Sequence, residues 1–315
     1  MTRPAILVTR KLPSAIIAKL DAAGDVDLFA GDAPMSADEL RARVAGKAAL
    51  VSMLTEQVDR SVIDAGRDLR IVANVAVGYN NVDVPYARSR GIIVTNTPDV
   101  LTESVADFTW ALILGVTRRV SEGERVVRGG EWKGWAFDYM LGTELRGKQL
   151  GLVGFGRIGQ AVAARAGAFG MRVAVTARGS AASPSVEAMS FDRLLNTSDV
   201  ISLHVPLTPE TRHLIDQKAL ARMKRTAYLI NTSRGAVLDE AALAWALDQR
   251  LIAGAALDVY EQEPSIHPGL LQLESVLLAP HLGSGTRETR TAMADLAAEN
   301  VVAVLGGRAA LTPVV

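Results

Sequence analysis

The 315-residue sequence contains no cysteine, and this absence excludes disulfide bonds, thiolate metal ligands and a thiol nucleophile. It also has no excess charge, because 34 Lys and Arg residues balance 34 Asp and Glu residues. A protein that binds nucleic acid usually carries an excess of basic residues to neutralise the phosphate backbone. We therefore expect neither a metal site nor a nucleic-acid partner.

Long apolar runs are also missing. The longest candidate for a membrane span, Phe108–Thr117, has ten residues and is flanked by charged residues, whereas a span needs about 20. The apolar stretch in the N-terminal segment MTRPAILVTR is too short for the core of a signal peptide. We therefore expect a cytoplasmic protein with no membrane partner.

The composition is that of a globular protein, with 49% apolar and 22% charged residues. The length exceeds that of a usual single domain, about 100–150 residues, so two domains are expected. Short apolar runs alternate with longer amphipathic stretches up to residue 95, and the same alternation restarts at Gln149 with six strand candidates. This rhythm predicts an α/β fold with two Rossmann-like domains, each a parallel sheet flanked by helices.

The order of these stretches also predicts where the domains begin and end. The second strand series opens midway along the chain, and the final stretch, Arg287–Leu305, has apolar residues at helical spacing. We expect residues 1–98 and 287–315 to form one domain, and residues 99–286 to form a second domain inserted in it. Residues 129–148 hold two of the four Trp residues and are expected to form a connector with a surface role.

A glycine turn, GFGRIG, follows the predicted strand Leu150–Val153 and precedes the predicted helix Gln160–Phe169. In a dinucleotide site the first glycine permits the tight turn, the second lets the backbone approach a pyrophosphate, and the third lets helix and strand pack closely. The alternative is a purely structural turn. The predicted cofactor-binding residues of the turn are Gly154, Gly156, Arg157, Ile158 and Gly159.

The residues after the next strand bear on the choice of cofactor. An NAD-selective site places Asp or Glu about 20 residues beyond the turn, where it holds the ribose 2′-hydroxyl. Here the strand MRVAVT is followed by Ala177 and Arg178, so a cation stands where a carboxylate would repel a 2′-phosphate. This favours NADP, with NAD possible. The alternative is that Arg178 is a solvated loop arginine.

Three motifs at predicted strand ends supply reactive side chains: Arg234 in NTSRG, Glu263 in DVYEQEP and His281 in APHLGSGT. Ligands bind outside the carboxyl ends of strands in open α/β sheets, so the three side chains are expected to converge there. They suit the reduction of a 2-oxo acid. Histidine can exchange a proton at neutral pH, a carboxylate on its other ring nitrogen orients it, and arginine binds a carboxylate and polarises the adjacent carbonyl.

Together with GFGRIG, the segments HVPLTPETRHLI, INTSRGAVLDE, GAALDVYEQEP and PHLGSGT resemble the D-isomer-specific 2-hydroxyacid dehydrogenase family in order and spacing. The resemblance covers almost the whole chain and is strongest to glyoxylate/hydroxypyruvate reductases. It implies that Arg234, Glu263 and His281 are catalytic. This agrees with their chemistry.

The resemblance implies that residues 1–98 and 287–315 form a substrate-binding, flavodoxin-like domain and that residues 99–286 form a dinucleotide-binding Rossmann domain. It also implies further binding residues. The segment NVAVGYNNVDV is similar to the family loop whose backbone N–H groups hold the substrate carboxylate, here around Val77 and Gly78, and Leu54 would line the pocket. Arg234 and His281 would contact the substrate as well. The resemblance also implies additional cofactor contacts. Thr102 would lie beside the nicotinamide, and Asp258 would meet its carboxamide. Pro206 and Thr211 would flank the cofactor, and Thr232 would contact it through the backbone.

The sequence thus predicts NADP(H)-dependent reduction of a small 2-oxo acid, glyoxylate or hydroxypyruvate, with His281 as the general acid and base. The alternatives are a 2-ketogluconate reductase or another D-2-hydroxyacid dehydrogenase and, from another class, a non-catalytic protein that senses dinucleotide. The resemblance also implies a homodimer formed through the cofactor domain. Trp135 would then either reach the partner's pocket or anchor the dimer contact.

Overall fold

The computed structural model describes residues 3–31, 33–177 and 186–314. The chain divides into two compact units, of which the first consists of Met1–Leu101 with Thr286–Val315 and the second of Thr102–Gly285. In both units the strands pair in parallel and are flanked by helices, which confirms the predicted fold class.

The first unit contains a five-stranded sheet in the order β2-β1-β3-β4-β5. The strands are β1 Ala5–Val8, β2 Asp25–Leu28, β3 Ala49–Ser52, β4 Ile71–Asn74 and β5 Ile93–Thr95. The connecting helices are α1 Ser14–Ala23, α2 Ala37–Val44, α3 Arg60–Ala65 and α4 Val84–Ser89. The strands β3 and β4 are buried throughout, as expected for parallel strands covered on both faces.

Polar side chains set the starts of three of these helices. Ser36 accepts a hydrogen bond from the backbone N–H of the third residue of α2, and Asp59 and Asp83 accept equivalent bonds at the starts of α3 and α4. Each of these N-cap bonds satisfies a backbone donor that the first helical turn leaves without a partner.

The second unit contains a seven-stranded sheet in the order β12-β11-β10-β9-β6-β7-β8. Its strands are β6 Gln149–Val153, β7 Arg172–Thr176, β8 Val186–Ala188, β9 Val200–Leu203, β10 Tyr228–Asn231, β11 Gly254–Leu257 and β12 Val276–Leu278. Its helices are α5 Thr102–Thr117, α6 Val120–Arg128, α7 Arg157–Ala166, α8 Phe191–Thr197, α9 Gln217–Arg222, α10 Glu240–Asp248 and α11 Pro268–Leu271. Successive strands are added on one side of β6 up to β8 and on its other side from β9 onward, so the strand order reverses between β6 and β9. Open α/β sheets bind ligands at such a point.

The last helix, α12 Arg287–Leu305, belongs to the first unit and packs on α1, where Lys19 pairs with Asp295. Within α12, the Asn300 side chain accepts hydrogen bonds from the backbone N–H groups of Leu311 and Thr312. These bonds hold the C-terminal segment beside the edge strand β5, where Pro313 pairs with Thr95.

The structure adds two strands, β2 and β8, that the apolar runs did not predict. Both lie at an edge of their sheet and are only partly buried, so their sequences DVDL and VEA carry no apolar run. The helix after the glycine turn also begins earlier than predicted, at Arg157, because Gly156 is its N-cap residue. A short 3-10 turn, Gly167–Phe169, completes it.

The connector, residues 129–148, contains neither a helix nor a strand. Several of its large apolar side chains are exposed, namely those of Trp132, Trp135, Phe137, Tyr139 and Leu141, and Trp135 and Phe137 are each 84% exposed. By contrast, Trp110 on α5 is buried, stacks on Phe169 and donates its indole N–H to the carbonyl of Val162. No helix in the described residues is both long and apolar enough to cross a membrane.

Candidate active site

The carboxyl ends of β10, β11 and β12 carry the three side chains predicted to be catalytic. Arg234 follows β10, Glu263 follows β11 and His281 follows β12. The structure brings two of them into direct contact, since His281 Nδ1 lies 2.9 Å from Glu263 Oε2. Adjacent parallel strands end at the same edge of the sheet, and this brings together residues distant in sequence.

Glu263 is held from two sides. Its Oε1 atom accepts the backbone N–H of Tyr260 at 3.1 Å, while Oε2 faces His281. Burial raises the pKa of Glu263, but the hydrogen bond and charge of His281, the Tyr260 N–H and Arg234 together bring it below its ordinary value. The group is therefore a carboxylate at neutral pH. A carboxylate can only accept, so Nδ1 of His281 carries a hydrogen and Nε2 is the atom available for proton exchange.

Arg234 lies in a turn that is fixed by Asn231, the last residue of β10. The Asn231 amide donates to the carbonyl of Arg234 at 3.0 Å, and its oxygen accepts the N–H of Ser233 at 3.0 Å. Burial lowers the pKa of the Arg234 guanidinium, and the negative charge of Glu263 partly opposes this shift. Arginine remains protonated in proteins, so a positive charge lies in the electrostatic field of the Glu263 carboxylate.

His281 has a backbone φ of +54°, which is unusual for a residue other than glycine and costs of the order of 1–3 kcal/mol. Asp258, buried at the end of β11, holds this conformation. Its carbonyl accepts the N–H of His281 at 3.0 Å, and its carboxyl oxygens accept the N–H groups of Leu282 at 2.6 Å and Gly283 at 2.8 Å. Burial raises the pKa of Asp258, and the two N–H groups limit the rise. Sequence reasoning did not find this anchoring role.

The other three histidines have partners that explain their positions. His204 Nε2 lies 2.9 Å from the Ser202 hydroxyl, and burial lowers the pKa of His204 to about 4, so its ring is neutral at neutral pH. His267 caps α11 by accepting the N–H of Gly269. His213 lies in a turn, with φ +48°, and its Nε2 atom lies 2.7 Å from Glu261 Oε2.

The glycine turn follows β6 beside the reversal in strand order. Gly154 has φ +97°, and a Cβ on it would lie 2.6 Å from the carbonyl oxygen of His204. A Cβ on Gly159 would lie 2.6 Å from the carbonyl oxygen of Gly154, whereas a Cβ on Gly156 would meet no atom within 4 Å. The first and third glycines thus serve packing within the protein. The second leaves open space at the N-terminus of α7, as an approaching pyrophosphate requires, so the residues present fit a dinucleotide.

The remaining predicted cofactor contacts of the second unit lie near strand ends or at the start of a helix. Thr211 closes the turn after β9 by donating to the carbonyl of Pro206 at 2.6 Å. The Thr232 hydroxyl, just after β10, lies 3.0 Å from that of Thr109, and Thr102 begins α5. Arg178 lies outside the residues that the structure describes.

In the first unit, the predicted substrate loop follows β4 and Leu54 follows β3. Side-chain amides hold two carbonyls of this loop, since Asn96 donates to Val77 at 2.8 Å and Asn74 donates to Gly78 at 3.0 Å. Among the described residues, no acceptor is found for the backbone N–H groups of Val77 and Gly78. The loop can therefore donate hydrogen bonds to an anion.

Comparison with known proteins identifies the family. Residues 110–283 match the model of the D-isomer specific 2-hydroxyacid dehydrogenase NAD-binding domain. The chain is 49% identical to a glyoxylate reductase of Korarchaeum cryptofilum over 97% of this chain and 94% of that protein. Among solved structures, a Thermus thermophilus protein is 45% identical with a TM-score of 0.94, over 99% of this chain and all of the other.

A second solved structure bears on the chemistry. It is an NADPH-dependent glyoxylate/hydroxypyruvate reductase of Sinorhizobium meliloti in complex with NADP and malonate. It is 36% identical to this chain, with a TM-score of 0.89 over 99% of this chain and 97% of the other. Together with the fold, these likenesses define an NAD(P)-dependent oxidoreductase. The chain belongs to the D-isomer specific 2-hydroxyacid dehydrogenase family, as its motifs predicted.

The loops that carry Arg234 and Glu263 are in backbone contact. Gly235 lies so close to Tyr260 that a Cβ on Gly235 would be 1.8 Å from the Tyr260 carbonyl carbon and 2.4 Å from the N of Glu261. These are backbone atoms, which cannot move aside as the end of a flexible side chain can. The contact therefore requires glycine and fixes the spacing of the two loops.

We predict that Gly235→Ala destabilises the protein by about 1–3 kcal/mol or more, because the added methyl group overpacks the contact with Tyr260. Urea unfolding followed by circular dichroism measures the change. Gly167→Ala is the matched control: Gly167 has helical dihedral angles and open space at its Cβ position, so alanine there should be neutral or stabilise by up to about 1 kcal/mol. Equal stability of the two variants would contradict the prediction.

Proposed function

We propose that this enzyme reduces glyoxylate or hydroxypyruvate to the corresponding 2-hydroxy acid with NADPH, using His281 as the general acid. The observation that carries the proposal is the 2.9 Å contact between His281 Nδ1 and Glu263 Oε2, with Arg234 close enough to lower the pKa of Glu263. The proposed roles assign the substrate loop to the first unit, and the dinucleotide site with Arg234, Glu263 and His281 to the second. The relatives named glyoxylate reductase support the choice of substrate.

In the proposed mechanism, each charged residue handles one part of the carbonyl reduction. When bound, the reduced nicotinamide supplies the hydride for the carbonyl carbon. His281 Nε2 gives a proton to the carbonyl oxygen, and the Glu263 carboxylate stabilises the imidazolium before this transfer. Arg234 binds the substrate carboxylate and polarises the carbonyl oxygen as negative charge develops on it. In the reverse direction His281 accepts the proton as a base.

The same proposal assigns the binding residues. The N–H groups of Val77 and Gly78 donate to the substrate carboxylate, and Leu54 lines the pocket. The glycine turn binds the pyrophosphate at the N-terminus of α7 through residues 154–159. Further contacts to the cofactor come from the residues at or near the ends of the second unit's strands and at the start of α5, namely Thr102, Pro206, Thr211, Thr232 and Asp258.

The first test of the function is turnover, followed by NADPH absorbance, on glyoxylate, hydroxypyruvate, pyruvate and 2-ketogluconate. We predict that Arg234→Ala lowers kcat/KM for glyoxylate by about 100- to 1,000-fold, since losing one such donor costs roughly 3–4 kcal/mol in the transition state. The dissociation constant for NADPH should stay within about twofold of the wild-type value, because Arg234 is assigned to substrate.

Arg222→Ala serves as the matched control, because Arg222 is a half-exposed arginine on α9 whose pairing with Asp192 lies at the surface. It should leave turnover unchanged. Turnover of 2-ketogluconate in place of glyoxylate would favour the alternative reductase activity. Tight binding of NADPH without oxidation by any of the four acids would instead indicate a dinucleotide sensor.

Cofactor preference is proposed to depend on Arg178, with NADP preferred and NAD possible. The support is the absence of an acidic residue directly after β7 in the sequence and the NADPH dependence named for the Sinorhizobium meliloti relative. We predict that Arg178→Asp lowers the ratio of kcat/KM for NADPH to that for NADH by about tenfold or more, because a charged hydrogen bond to phosphate gives way to repulsion.

The matched control for this charge reversal is Arg172→Asp at the opposite end of β7, where the side chain is exposed. Arg172→Asp should leave the cofactor ratio unchanged. If the ratio is also unchanged in Arg178→Asp, the assignment of the 2′-phosphate to Arg178 is wrong.

A homodimer through the second unit is also proposed, with the connector, residues 129–148, as the contact. Monomeric proteins rarely expose contiguous apolar patches of this kind, and here one short segment exposes Trp132, Trp135, Phe137 and Leu141. A second copy of the chain is the occupant that the resemblance implies. Trp135 then either reaches the partner's pocket or anchors the contact.

We predict that combining Trp135→Glu and Phe137→Glu reduces the mass in solution from twice 33.4 kDa to 33.4 kDa, because two charges would be buried in the contact. Light scattering coupled to size exclusion measures this mass. Leu311→Glu, at another exposed apolar position, should leave the dimer intact. A wild-type protein that is already monomeric would refute the proposed assembly.

A further inference from the structure

Two further carboxyl groups, those of Glu240 and Glu261, lie beside the loops that carry Arg234 and Glu263 and take no part in the mechanism above. Glu240 is the first residue of α10, and its side chain is buried. Its Oε1 atom accepts the backbone N–H of Glu261 at 2.6 Å, and its Oε2 atom accepts the backbone N–H of His267 at 3.1 Å. Both oxygens of Glu240 therefore point at the loop after β11.

The two N–H groups that Glu240 binds lie on either side of Glu263. Residues 262–265 between them are exposed, and the turn is closed on itself by one backbone hydrogen bond, from the Ser265 N–H to the Gln262 carbonyl at 2.8 Å. Catalytic groups must stay within about 0.5 Å of their productive positions. Glu240 ties both ends of the exposed turn to the start of a helix.

The tie is reciprocal. Oε1 of Glu261 accepts the backbone N–H of Glu240 at 3.1 Å, and Oε2 of Glu261 lies 2.7 Å from Nε2 of His213. The backbone N–H of His213 in turn donates to the carbonyl of Ala236, two residues after Arg234. The loops that carry Arg234 and Glu263 thus share one hydrogen-bonded network, in addition to the close contact at Gly235.

Glu240 is not required to cap its own helix. Asp239 already occupies the N-cap position of α10 and accepts the backbone N–H of Ala242 at 2.9 Å. The oxygens of Glu240 are directed away from the helix to the loop that carries Glu263. A helix-capping role therefore does not explain why a carboxyl group is buried at this position.

We propose that Glu240 is a positioning residue, which holds the turn around Glu263 so that Glu263 keeps its contact with His281. This rests on the proposed function, because the positions it fixes are those of the proposed catalytic groups. Glu240 itself touches neither Glu263 nor His281 through its side chain among the contacts described. Glu240 acts on turnover indirectly, because it holds the backbone of the turn that carries Glu263.

A double-mutant cycle on kcat tests the proposal. Glu240→Gln keeps the shape but turns one acceptor into an NH2 group that faces a backbone N–H, so the turn loses one of its two ties. We expect Glu240→Gln to lower kcat by about tenfold to 100-fold, with the dissociation constant for NADPH unchanged. In the Glu263→Gln background the same change should lower kcat by less than about twofold, since the two residues act as a unit.

An equal fall of kcat in both backgrounds would show that Glu240 acts independently of Glu263 and would overturn the proposal. Glu288→Gln is the matched control, because it neutralises an exposed glutamate in the first turn of another helix, α12. It should leave kcat unchanged.

Hydrogen–deuterium exchange gives a readout that does not depend on activity. Glu240→Gln should speed exchange in the peptide that spans Tyr260–His267, while Glu263→Gln and Glu288→Gln leave exchange at Glu261 and His267 as in wild type. Unchanged exchange in this peptide overturns the proposal even if kcat falls. If the wild-type protein reduces none of the 2-oxo acids, the proposed function is wrong, and the exchange result alone decides whether Glu240 anchors the turn.

Discussion

The contact between His281 and Glu263 joins two loops whose residues are 18 positions apart in sequence, and much of the second unit serves to keep it. Parallel pairing of β11 with β12 brings the two loops to one edge of the sheet. Asp258 then holds His281 in a left-handed conformation, and Tyr260 donates to Glu263. The contact joins side chains, but it is set by backbone hydrogen bonds on both sides.

Two glycines allow close backbone contacts between loops at the same edge of the seven-stranded sheet. Gly154 lies against the carbonyl of His204, the residue after β9, and Gly235 lies against the peptide bond after Tyr260. Each glycine allows two neighbouring strand-end loops to approach more closely than any side chain would permit. The glycine turn and the loops that carry Arg234 and Glu263 therefore depend on the same kind of close backbone contact, and the open space at Gly156 is an exception that leaves room for a ligand.

The sequence predicted the fold class and the family because apolar rhythm and motif order are local properties. Arg234, Glu263 and His281 could be named because reactive residue types stood at predicted strand ends. Edge strands such as Asp25–Leu28 were missed, since partial burial leaves no apolar run. Glu240 could not be found either. Its role depends on backbone N–H groups far along the chain, and neither residue type nor spacing encodes the direction in which a backbone donor points.

The charges of Arg234 and Glu263 explain why the proposed site suits a substrate that carries a carboxylate. Burial lowers the pKa of the Arg234 guanidinium, and the negative charge of Glu263 partly opposes this shift, so a buried cation lies beside the proposed substrate position. The Glu263 carboxylate in turn already accepts a hydrogen bond from Nδ1 of His281. A substrate carboxylate adds the second negative charge that the buried guanidinium favours, whereas a neutral aldehyde or ketone does not. On the proposed mechanism, the same electrostatics that hold the catalytic carboxylate ionised therefore also select 2-oxo acids over neutral carbonyl compounds.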